Sequence, residues 1–341
     1  MPPHLLDHPF SELELLFKKF TGQSYRARQV CKWVFARHAS SFNDMTDLPA
    51  DLRKELAARF QVCSTELFAR EGSHTDSTEK WTLATQDKRH FSAVLLPRKG
   101  YDSICISTQV GCAWKWGFCA SGLVKFERNL TPGEILDQVL SVERIGKRKI
   151  HNVLFMGMGE PLANYPGTLG AIHWLTSPHG FGLSPARVTV STTGLAPQIL
   201  KLAGENLKVN LALSLHAPSD DLRAKIMPVS SKFEIREILE ACKIYWTKND
   251  ADLTMEYILL NDVNDREAHA RQLAKLLKSV FGNHLPKINL IPFNPVPALS
   301  YKTTDPAQSQ FFFDLLKREK FVVHTRKPQG QDIEAACGQL L

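Results

Sequence analysis

The chain has 341 residues, of which 43% are hydrophobic and 23% charged, and its formal net charge is +7. This composition is typical of a globular protein with a core, and the sequence has no apolar run long enough for a membrane span. The start of the chain lacks the basic and apolar regions of a signal peptide, so we expect a cytoplasmic protein and, in the simplest case, a monomer. Its seven cysteines then indicate buried thiols, metal ligands or catalytic groups rather than a disulfide framework. The excess of cations suits an anionic partner such as RNA, and equally a solvated basic surface.

The first ninety or so residues predict a small helical module followed by a β-hairpin. Residues 24–39 have helical apolar spacing with basic side chains on the polar side, and residues 48–60 predict a second, shorter helix. Residues 80–97 predict two strands around a polar turn. The basic helix is a candidate RNA contact, and an ordinary exposed helix face is the alternative.

After this hairpin, strand-like and helical patterns alternate to the end of the chain. The strand-like runs are residues 103–108, 152–159, 187–193, 209–217, 253–260, 287–293 and 321–325. The helix predicted after Thr131 begins with a capping box that Glu134 completes, with Pro132 at the first helical position. Alternation of this kind predicts an α/β fold, a partial (β/α) barrel, with a doubly wound open sheet as the alternative. We place a helical, RNA-binding-like module at 1–75, the hairpin at 76–97 and the barrel at 98–341.

Residues with chemical potential follow the carboxyl ends of these strand-like runs. The segments are GCAWKWGFCASG, GMGEPL, STTG, SLHAP, NDVND and IPFNPVP. Glycine, proline and asparagine also mark ordinary turns, which accounts for each segment taken singly. In a barrel, however, the carboxyl ends of the strands meet on one face, where active sites are built. The recurrence of Ser, His, Glu, Asn and Cys there predicts one site assembled from several loops.

The first of these segments resembles a loop that holds an iron–sulfur cluster. Cys112 and Cys119 stand where the first and last thiols of a C-x3-C-x2-C pattern would stand. Three thiolates at that spacing can converge on a four-iron cluster. The middle position is occupied by Trp116, whose indole N–H is a donor and offers no lone pair to iron.

The surrounding text resembles the RlmN/Cfr family of radical S-adenosylmethionine methyltransferases, which modify C2 or C8 of adenosine in 23S rRNA and tRNA. The resemblance covers nearly the whole chain. Its most specific stretches are CISTQVGCAWKWGFCASG, GMGEPLANY, VTVSTTGLAP, LALSLHAPSDDLR, NLIPFNPVP and DIEAACGQL. It implies a radical SAM barrel, S-adenosylmethionine and a [4Fe-4S] cluster as cofactors, and an RNA substrate.

The resemblance also implies roles for individual residues. Cys112 and Cys119 match two of the three cluster ligands, Cys337 matches the cysteine that carries the methyl group, and Cys105 matches the thiol that resolves the enzyme–RNA link. The residues that match contacts to S-adenosylmethionine are Gly159, Glu160, Ser191, Ser214, Leu215, His216 and Asn294. A carrier is needed because C2 of adenine is not nucleophilic, so direct methyl transfer from a sulfonium fails there.

Two positions depart from the family pattern. Trp116 replaces the middle thiolate, and Ser92 stands where the family has a glutamate that serves as general base. A serine hydroxyl has no basicity near neutral pH, and loss of one thiolate destabilises a cluster. Both changes predict an impaired active site and put assembly of the cluster in question.

Three interpretations therefore stay open. The first is a radical methyltransferase of adenosine with an impaired cluster. The second is a catalytically inactive paralogue that binds rRNA or tRNA. The third is a methyltransferase that uses S-adenosylmethionine without a radical step.

Overall fold

The structure, a computed structural model, describes residues 2–228 and 232–340. Within these ranges the first sixty residues form three helices: α1 (Phe10–Thr21), α2 (Tyr25–Arg37) and α3 (Ala50–Arg59). The left-handed backbone of Gly22 ends α1, a conformation that glycine adopts at little cost. The apolar faces of α1 and α2 pack together and bury Phe17 and Val34 completely. The two predicted helices in this region are thus confirmed as α2 and α3.

Among the described residues, ten strands form one mixed sheet. In chain order they are β1 (Thr65–Gly72), β2 (Glu79–Thr85), β3 (His90–Arg98), β4 (Tyr101–Cys105), β7 (Ile150–Phe155), β8 (Val188–Thr192), β9 (Asn210–Ser214), β10 (Leu253–Leu259), β11 (Lys287–Pro292) and β12 (Val323–Thr325). The first four pair antiparallel, and every pairing from β4 to β12 is parallel. A two-stranded ribbon, β5 (Gln109–Val110) with β6 (Arg128–Asn129), lies apart from this sheet.

Helices cross over between the parallel strands. They are α4 (Pro132–Gly146), α5 (Tyr165–Thr176), α6 (Ala196–Gly204), α7 (Asp220–Ile226), α8 (Ile235–Asn249), α9 (Glu267–Phe281) and α10 (Pro306–Arg318). The predicted capping box starts α4: the Thr131 hydroxyl accepts from the Glu134 N–H, and the Glu134 carboxylate accepts from the Thr131 N–H. None of the helices in the described ranges combines the length and apolar character needed to cross a bilayer.

The strand order confirms the partial barrel. Along the sheet the parallel strands follow one another in chain order, and β1 and β12 form its two edges, so the barrel is open. A doubly wound sheet reverses its order at a switch point. No such reversal occurs between β4 and β12, and that alternative is wrong.

The region predicted as a helical module differs in one respect. Residues Thr65–Gly72 fall within the predicted range 1–75, yet they form β1 and pair with β2. The predicted hairpin, β2 with β3, is therefore the middle of a four-stranded antiparallel meander that continues into the barrel through β4. Burial alternates along the first six residues of β1, but only Thr65 is fully buried, so the strand had little apolar signal. The division into three units remains a prediction.

A buried carboxylate fastens the amino-terminal segment to the barrel. Asp137, on α4, is fully buried and accepts hydrogen bonds from the Ser64 N–H, the Ser64 hydroxyl and the Thr65 hydroxyl. Its other oxygen lies 3.3 Å from Nε2 of His4. The His4 Nδ1 accepts from the Leu6 N–H. One side chain on α4 thus bonds polar groups from the chain start and from the beginning of β1.

We expect Asp137→Ala to lower the free energy of unfolding by about 3–5 kcal/mol, because several buried donors lose their acceptor together. Urea denaturation of the full chain measures this change. Glu267→Ala, which breaks an exposed ion pair with Arg271, is the control and should cost less than about 1 kcal/mol. Equal costs for the two variants would contradict the role assigned to Asp137.

Candidate active site

A cavity of about 700 Å³ opens where the loops that follow the parallel strands converge. Ligand sites of small molecules and cofactors have volumes of this order. Most residues singled out from the sequence line it: Cys105, Cys112, Trp116, Cys119, Gly159, Glu160, Ser191, Ser214, His216, Asn294 and Cys337. Ser92 and Leu215 do not, and both side chains are almost completely buried in the sheet region. Five of the six segments singled out from the sequence therefore line one cavity, and the segment NDVND, residues 261–265, does not.

The cysteine loop places two thiols, Cys112 and Cys119, on the cavity wall. Gly111 has φ 72°, and a Cβ there would collide with the Lys125 carbonyl, so only glycine allows this tight approach. Burial raises the pKa of the Cys112 thiol, and hydrogen bonds from the backbone of Trp114 and Gly159 offset part of that rise. Burial raises the pKa of Cys119 to about 11. The cysteines of the described residues are free.

Trp116 fills the third ligand position with an aromatic ring. Its ring centroid lies 5.4 Å from that of Phe118 and 5.6 Å from that of His216, the latter nearly perpendicular. The ring packs on an apolar cluster that includes Phe118, Ile258 and Phe293. Its Nε1 is buried and has no hydrogen-bond partner. A buried N–H without an acceptor costs roughly 1–3 kcal/mol.

His216 does not supply the missing ligand. Its Nδ1 accepts a hydrogen bond from the Ile258 N–H at 3.0 Å, which places the ring proton on Nε2 and leaves no free lone pair. Burial, together with the nearby charge of Arg223, lowers the pKa of His216 to about 3, so the ring is neutral. No group of three or more His, Cys, Asp or Glu side chains suited to a metal occurs among the described residues. The donor set therefore does not fit a cluster held by three thiolates.

The turn after β7 presents a carboxylate to the cavity. Gly159 has φ 97°, and a Cβ there would meet the Gln109 side chain. Next to it, the Glu160 carboxylate accepts from the N–H groups of Leu162 at 3.0 Å and Thr193 at 2.7 Å. Burial raises the pKa of Glu160, and those two donors offset part of the rise. The carboxylate is thus held in one orientation across two loops.

Arg223, which the sequence analysis did not single out, braces the loops after β8 and β9. This buried guanidinium, on α7, donates to the carbonyls of Thr193, Ser214 and Leu215. Burial lowers its pKa to about 10. It stands in the matched stretch SLHAPSDDLR, but nothing in the spacing predicts that an arginine so close to two acidic residues turns inward.

The carboxyl-terminal segment is tied to the cysteine loop. The Ala120 N–H donates to the Gly338 carbonyl at 2.7 Å, and the Ser121 hydroxyl donates to the Leu340 carbonyl at 2.7 Å. The Asn294 amide donates to the Cys337 carbonyl at 2.9 Å and accepts from Gln331 at 2.8 Å. Both ends of the Asn294 side chain are thus bound to this segment, and Cys337 lies on the cavity wall.

Arg326 is a second residue that the sequence analysis missed. It lies close to Cys105 and Cys337, the two cavity thiols outside the cysteine loop. Its guanidinium hydrogen-bonds with Cys337 and interacts electrostatically with Cys105. It also lies 3.6 Å from Glu256, whose second oxygen is buried without a partner. Burial raises the pKa of Cys337, and Arg326 offsets part of that rise; burial raises the pKa of Cys105 to about 12. The sequence signal that could have indicated the pair of Arg326 and Glu256 was the single glutamate in the apolar run LTMEYILL.

Ser92 makes local contacts within the sheet. Its hydroxyl lies 3.2 Å from the Thr82 hydroxyl, and its carbonyl accepts from the Ser107 hydroxyl at 2.6 Å. Two and four residues further along β3, Val94 and Leu96 line the cavity. Because side chains alternate along a strand, position 92 belongs to the same face. Its short side chain stops below the cavity.

Comparison with known proteins places this architecture. A model of the radical SAM superfamily matches residues 106–274, and a model of the ribosomal RNA large subunit methyltransferase N-terminal domain matches residues 4–62. A crystal structure of a radical SAM methyltransferase from Sphaerobacter thermophilus is 37% identical, covers 99% of each chain and superposes with a TM-score of 0.94. The fold is thus that of a radical SAM methyltransferase.

The curated relatives narrow this class to one family. A probable dual-specificity RNA methyltransferase RlmN from Endomicrobium trichonymphae is 40% identical and covers 99% of this chain and 97% of its own length. The protein of the same description from Pelotomaculum thermopropionicum is 42% identical and covers 98% and 90%. The chain belongs to the RlmN family of radical SAM RNA methyltransferases. The radical SAM family implies S-adenosylmethionine and a four-iron cluster as cofactors, and this chain has Trp116 between Cys112 and Cys119.

We expect Trp116→Cys to raise the iron and sulfide content after anaerobic reconstitution, because it supplies the third thiolate. The unmodified protein should hold little iron and lack the EPR signal of a reduced four-iron cluster. Trp114→Cys is the matched control, since it adds a thiol to the same loop two residues away from the ligand position. A four-iron cluster in the unmodified protein would show that another ligand replaces the lost thiolate.

We expect Arg326→Met to slow alkylation of Cys337 by iodoacetamide roughly three- to ten-fold near neutral pH. Without the guanidinium the pKa of Cys337 rises further, so less thiolate is present, and the midpoint of the pH–rate profile moves to higher pH. Peptide mapping identifies the labelled cysteine. Arg236→Met, which removes an exposed guanidinium bonded to Ser279, should leave that midpoint in place. An unchanged midpoint in Arg326→Met would contradict this assignment.

Proposed function

We propose that this chain is an RNA methyltransferase that uses S-adenosylmethionine and acts on adenosine, at C2 or C8, in 23S rRNA or tRNA. The observation that carries the proposal is the placement of Cys337. Asn294 and the cysteine loop hold this residue on the wall of a cavity that also contains Glu160 and Arg326. The full-length similarity to relatives described as dual-specificity RNA methyltransferases supports the choice of RNA.

In this proposal the chain supplies binding and positioning of the methyl donor. Glu160, whose carboxylate is fixed by two backbone N–H groups, accepts from the amino group of S-adenosylmethionine. Ser191, Ser214 and His216 line the same cavity and contact the rest of the donor, and Leu215 completes the contact through its backbone. Cys337 is the methyl acceptor, with Arg326 stabilising its thiolate. Cys105, which interacts with Cys337, is the thiol that releases the product.

The cluster would supply the radical that the family uses to reach an adenine carbon. Because the donor set of this chain does not fit the cluster, we assign no step of the transfer to RNA through it. Trp116 and Ser92 therefore favour low activity in the transfer of the methyl group from Cys337 to RNA. The cytoplasmic location and the monomeric state remain predictions.

A second candidate function is RNA binding without catalysis. In addition to the presence of Trp116, one observation favours RNA binding: a groove of about 380 Å³ lies between α2 and the loop after α5. Three cations line this groove: Arg28, Lys32 and Lys149. Phosphate contacts depend on such cations and are independent of the state of the active site. Binding of tRNA and rRNA fragments at two salt concentrations, compared with methyl transfer, separates the two candidates.

We expect Cys337→Ala to abolish methylation of RNA by labelled S-adenosylmethionine, because it removes the carrier sulfur. Trp116→Cys should raise activity, and Trp116→Cys combined with Ser92→Glu should raise it further, since the longer side chain brings a carboxylate up the cavity face of β3. Ser92→Gln in the same background is the control for side-chain length. Full activity in Cys337→Ala would refute the carrier role, and full activity from the single Cys change would refute the role of position 92.

A further inference from the structure

Glu256, Arg326 and Cys337 form a chain of contacts on the cavity wall. The Arg326 guanidinium donates a hydrogen bond to the Cys337 sulfur, and one of its nitrogens lies 3.6 Å from a carboxylate oxygen of Glu256. All three residues line the cavity. Arg326 is therefore the middle member of the chain, with a carboxylate and a sulfur as its neighbours.

Glu256 keeps one carboxylate oxygen without a donor. The residue lies on β10, where its backbone pairs in register with Ser214 of β9 and with Asn289 of β11. Its Oε1 accepts from the Asn289 amide at 2.9 Å. Its Oε2 is buried and has no hydrogen-bond partner among the described residues. A buried acceptor without a donor is costly, so a ligand with an N–H group would satisfy an atom that the protein leaves unpaired.

Arg326 has N–H donors to spare. A guanidinium carries five of them, and within the described part of the chain the hydrogen bonds of this one go to the sulfurs of Met156 and Cys337. The 3.6 Å separation from Glu256 is that of an ion pair and is too long for a hydrogen bond. At the wall of the cavity, 32% of the Arg326 side chain is accessible. The guanidinium can therefore donate to a ligand without losing a protein contact.

The order of these three groups matches an edge of adenine. On the Watson–Crick edge the exocyclic amine, the acceptor N1 and the carbon C2 follow one another, and on the Hoogsteen edge the same amine, the acceptor N7 and the carbon C8 do. The protein presents the complementary order: a carboxylate oxygen for the amine, a guanidinium for the ring nitrogen and a sulfur for the carbon. Guanine has a carbonyl in place of the amine, which a carboxylate repels.

An apolar cluster beside this chain of contacts suits the faces of a base. It consists of Val94, Ala335 and Leu340, with Leu96 and Cys105 packed against it. All five residues line the same cavity. A base that leaves its strand loses stacking, and apolar side chains replace part of that contact.

We propose that Glu256 and Arg326 read the adenine base of the RNA: Glu256 accepts from the exocyclic amine, and Arg326 donates to the ring nitrogen next to the carbon that faces Cys337. The inference rests on the proposed function, because it assigns the residues that select the base at that same site. Either edge of adenine fits, since both present amine, ring nitrogen and carbon in the same order. The two residues are thus determinants of specificity.

Protection of Cys337 from iodoacetamide measures whether a base occupies this place. The full-length protein is titrated with a short oligouridylate that carries one central adenosine, and peptide mapping follows the labelling of Cys337. We expect half-protection at a concentration about five- to thirty-fold lower than for the same strand with inosine or with purine riboside, which lacks the amine. Equal protection by the three strands, or none at concentrations that saturate RNA binding, would overturn the proposal.

Glu256→Gln tests the carboxylate. Its amide can donate to the inosine carbonyl as well as accept from adenosine, so the preference for adenosine over inosine should fall to less than about three-fold. Glu160→Gln is the matched control: Glu160 also lines the cavity, but both of its oxygens accept from backbone N–H groups, so the preference should stay. A full preference in Glu256→Gln, or its loss in Glu160→Gln alone, would contradict the assignment.

Strands with a deazaadenosine test the contact of Arg326. Removal of N1 or of N7 should weaken protection for the edge that Arg326 reads, and Arg326→Met should show no difference between that strand and the strand with adenosine. Unchanged protection by both deaza strands would overturn the role of Arg326.

S-adenosylmethionine also carries an adenine, so calorimetry separates the two sources of the amine. Glu256→Gln should change the affinity for S-adenosylmethionine by less than about two-fold. A larger loss there, with the preference for adenosine in RNA intact, would place Glu256 against the methyl donor and overturn the proposal.

If Glu256→Gln fails to fold, Asn289→Ala decides, because it removes the amide that holds Glu256. A lower preference for adenosine in that variant supports the proposal, and an unchanged one opposes it. The outcome is separate from catalysis. An RNA methylation assay that fails while the preference depends on Glu256 refutes the proposed function alone, and methylated RNA without that preference refutes this inference alone.

Discussion

The site depends on the contact between the cysteine loop and the carboxyl-terminal segment. One backbone hydrogen bond, from the Ala120 N–H to the Gly338 carbonyl, joins residues more than two hundred positions apart, and Asn294 holds the neighbouring carbonyl of Cys337. A short segment without regular structure has no intrinsic reason to stay over a cavity, because ordering it costs conformational entropy. The bonds to Ala120, Ser121 and Asn294 offset that cost and keep Cys337 on the cavity wall.

Trp116 changes the physical character of this loop without unfolding it. The ring gains packing against Phe118, His216 and the apolar cluster beneath them, but its buried N–H lacks an acceptor among the described residues. Cys112 and Cys119 remain on the wall of the same cavity, one on each side of Trp116 in the chain.

The antiparallel meander and the parallel barrel share one sheet, and β4 is the strand where they meet. Cys105 is the last residue of that strand, so its thiol is held by pairing on both sides. Position 92 lies on the neighbouring strand, on the face that lines the cavity further along. A proton acceptor there would be as rigidly placed as the thiol. Ser92 itself does not line the cavity, so a carboxylate at position 92 would have to reach it through a longer side chain.

The sequence by itself determined the α/β class, the barrel, the capping box at Thr131 and the loops that build the site, because hydrophobic periodicity and residues after strand ends are local signals. Motif resemblance added the family and the candidate ligands. Only the tertiary structure decided that β1 extends the sheet, that Arg223 turns inward, and that Arg326 and Glu256 lie beside Cys337. Those facts depend on contacts between distant segments, which no local pattern encodes. The same holds for Trp116: the sequence placed a tryptophan between Cys112 and Cys119, and only the structure showed that its ring packs against His216, whose Nδ1 accepts from the Ile258 N–H.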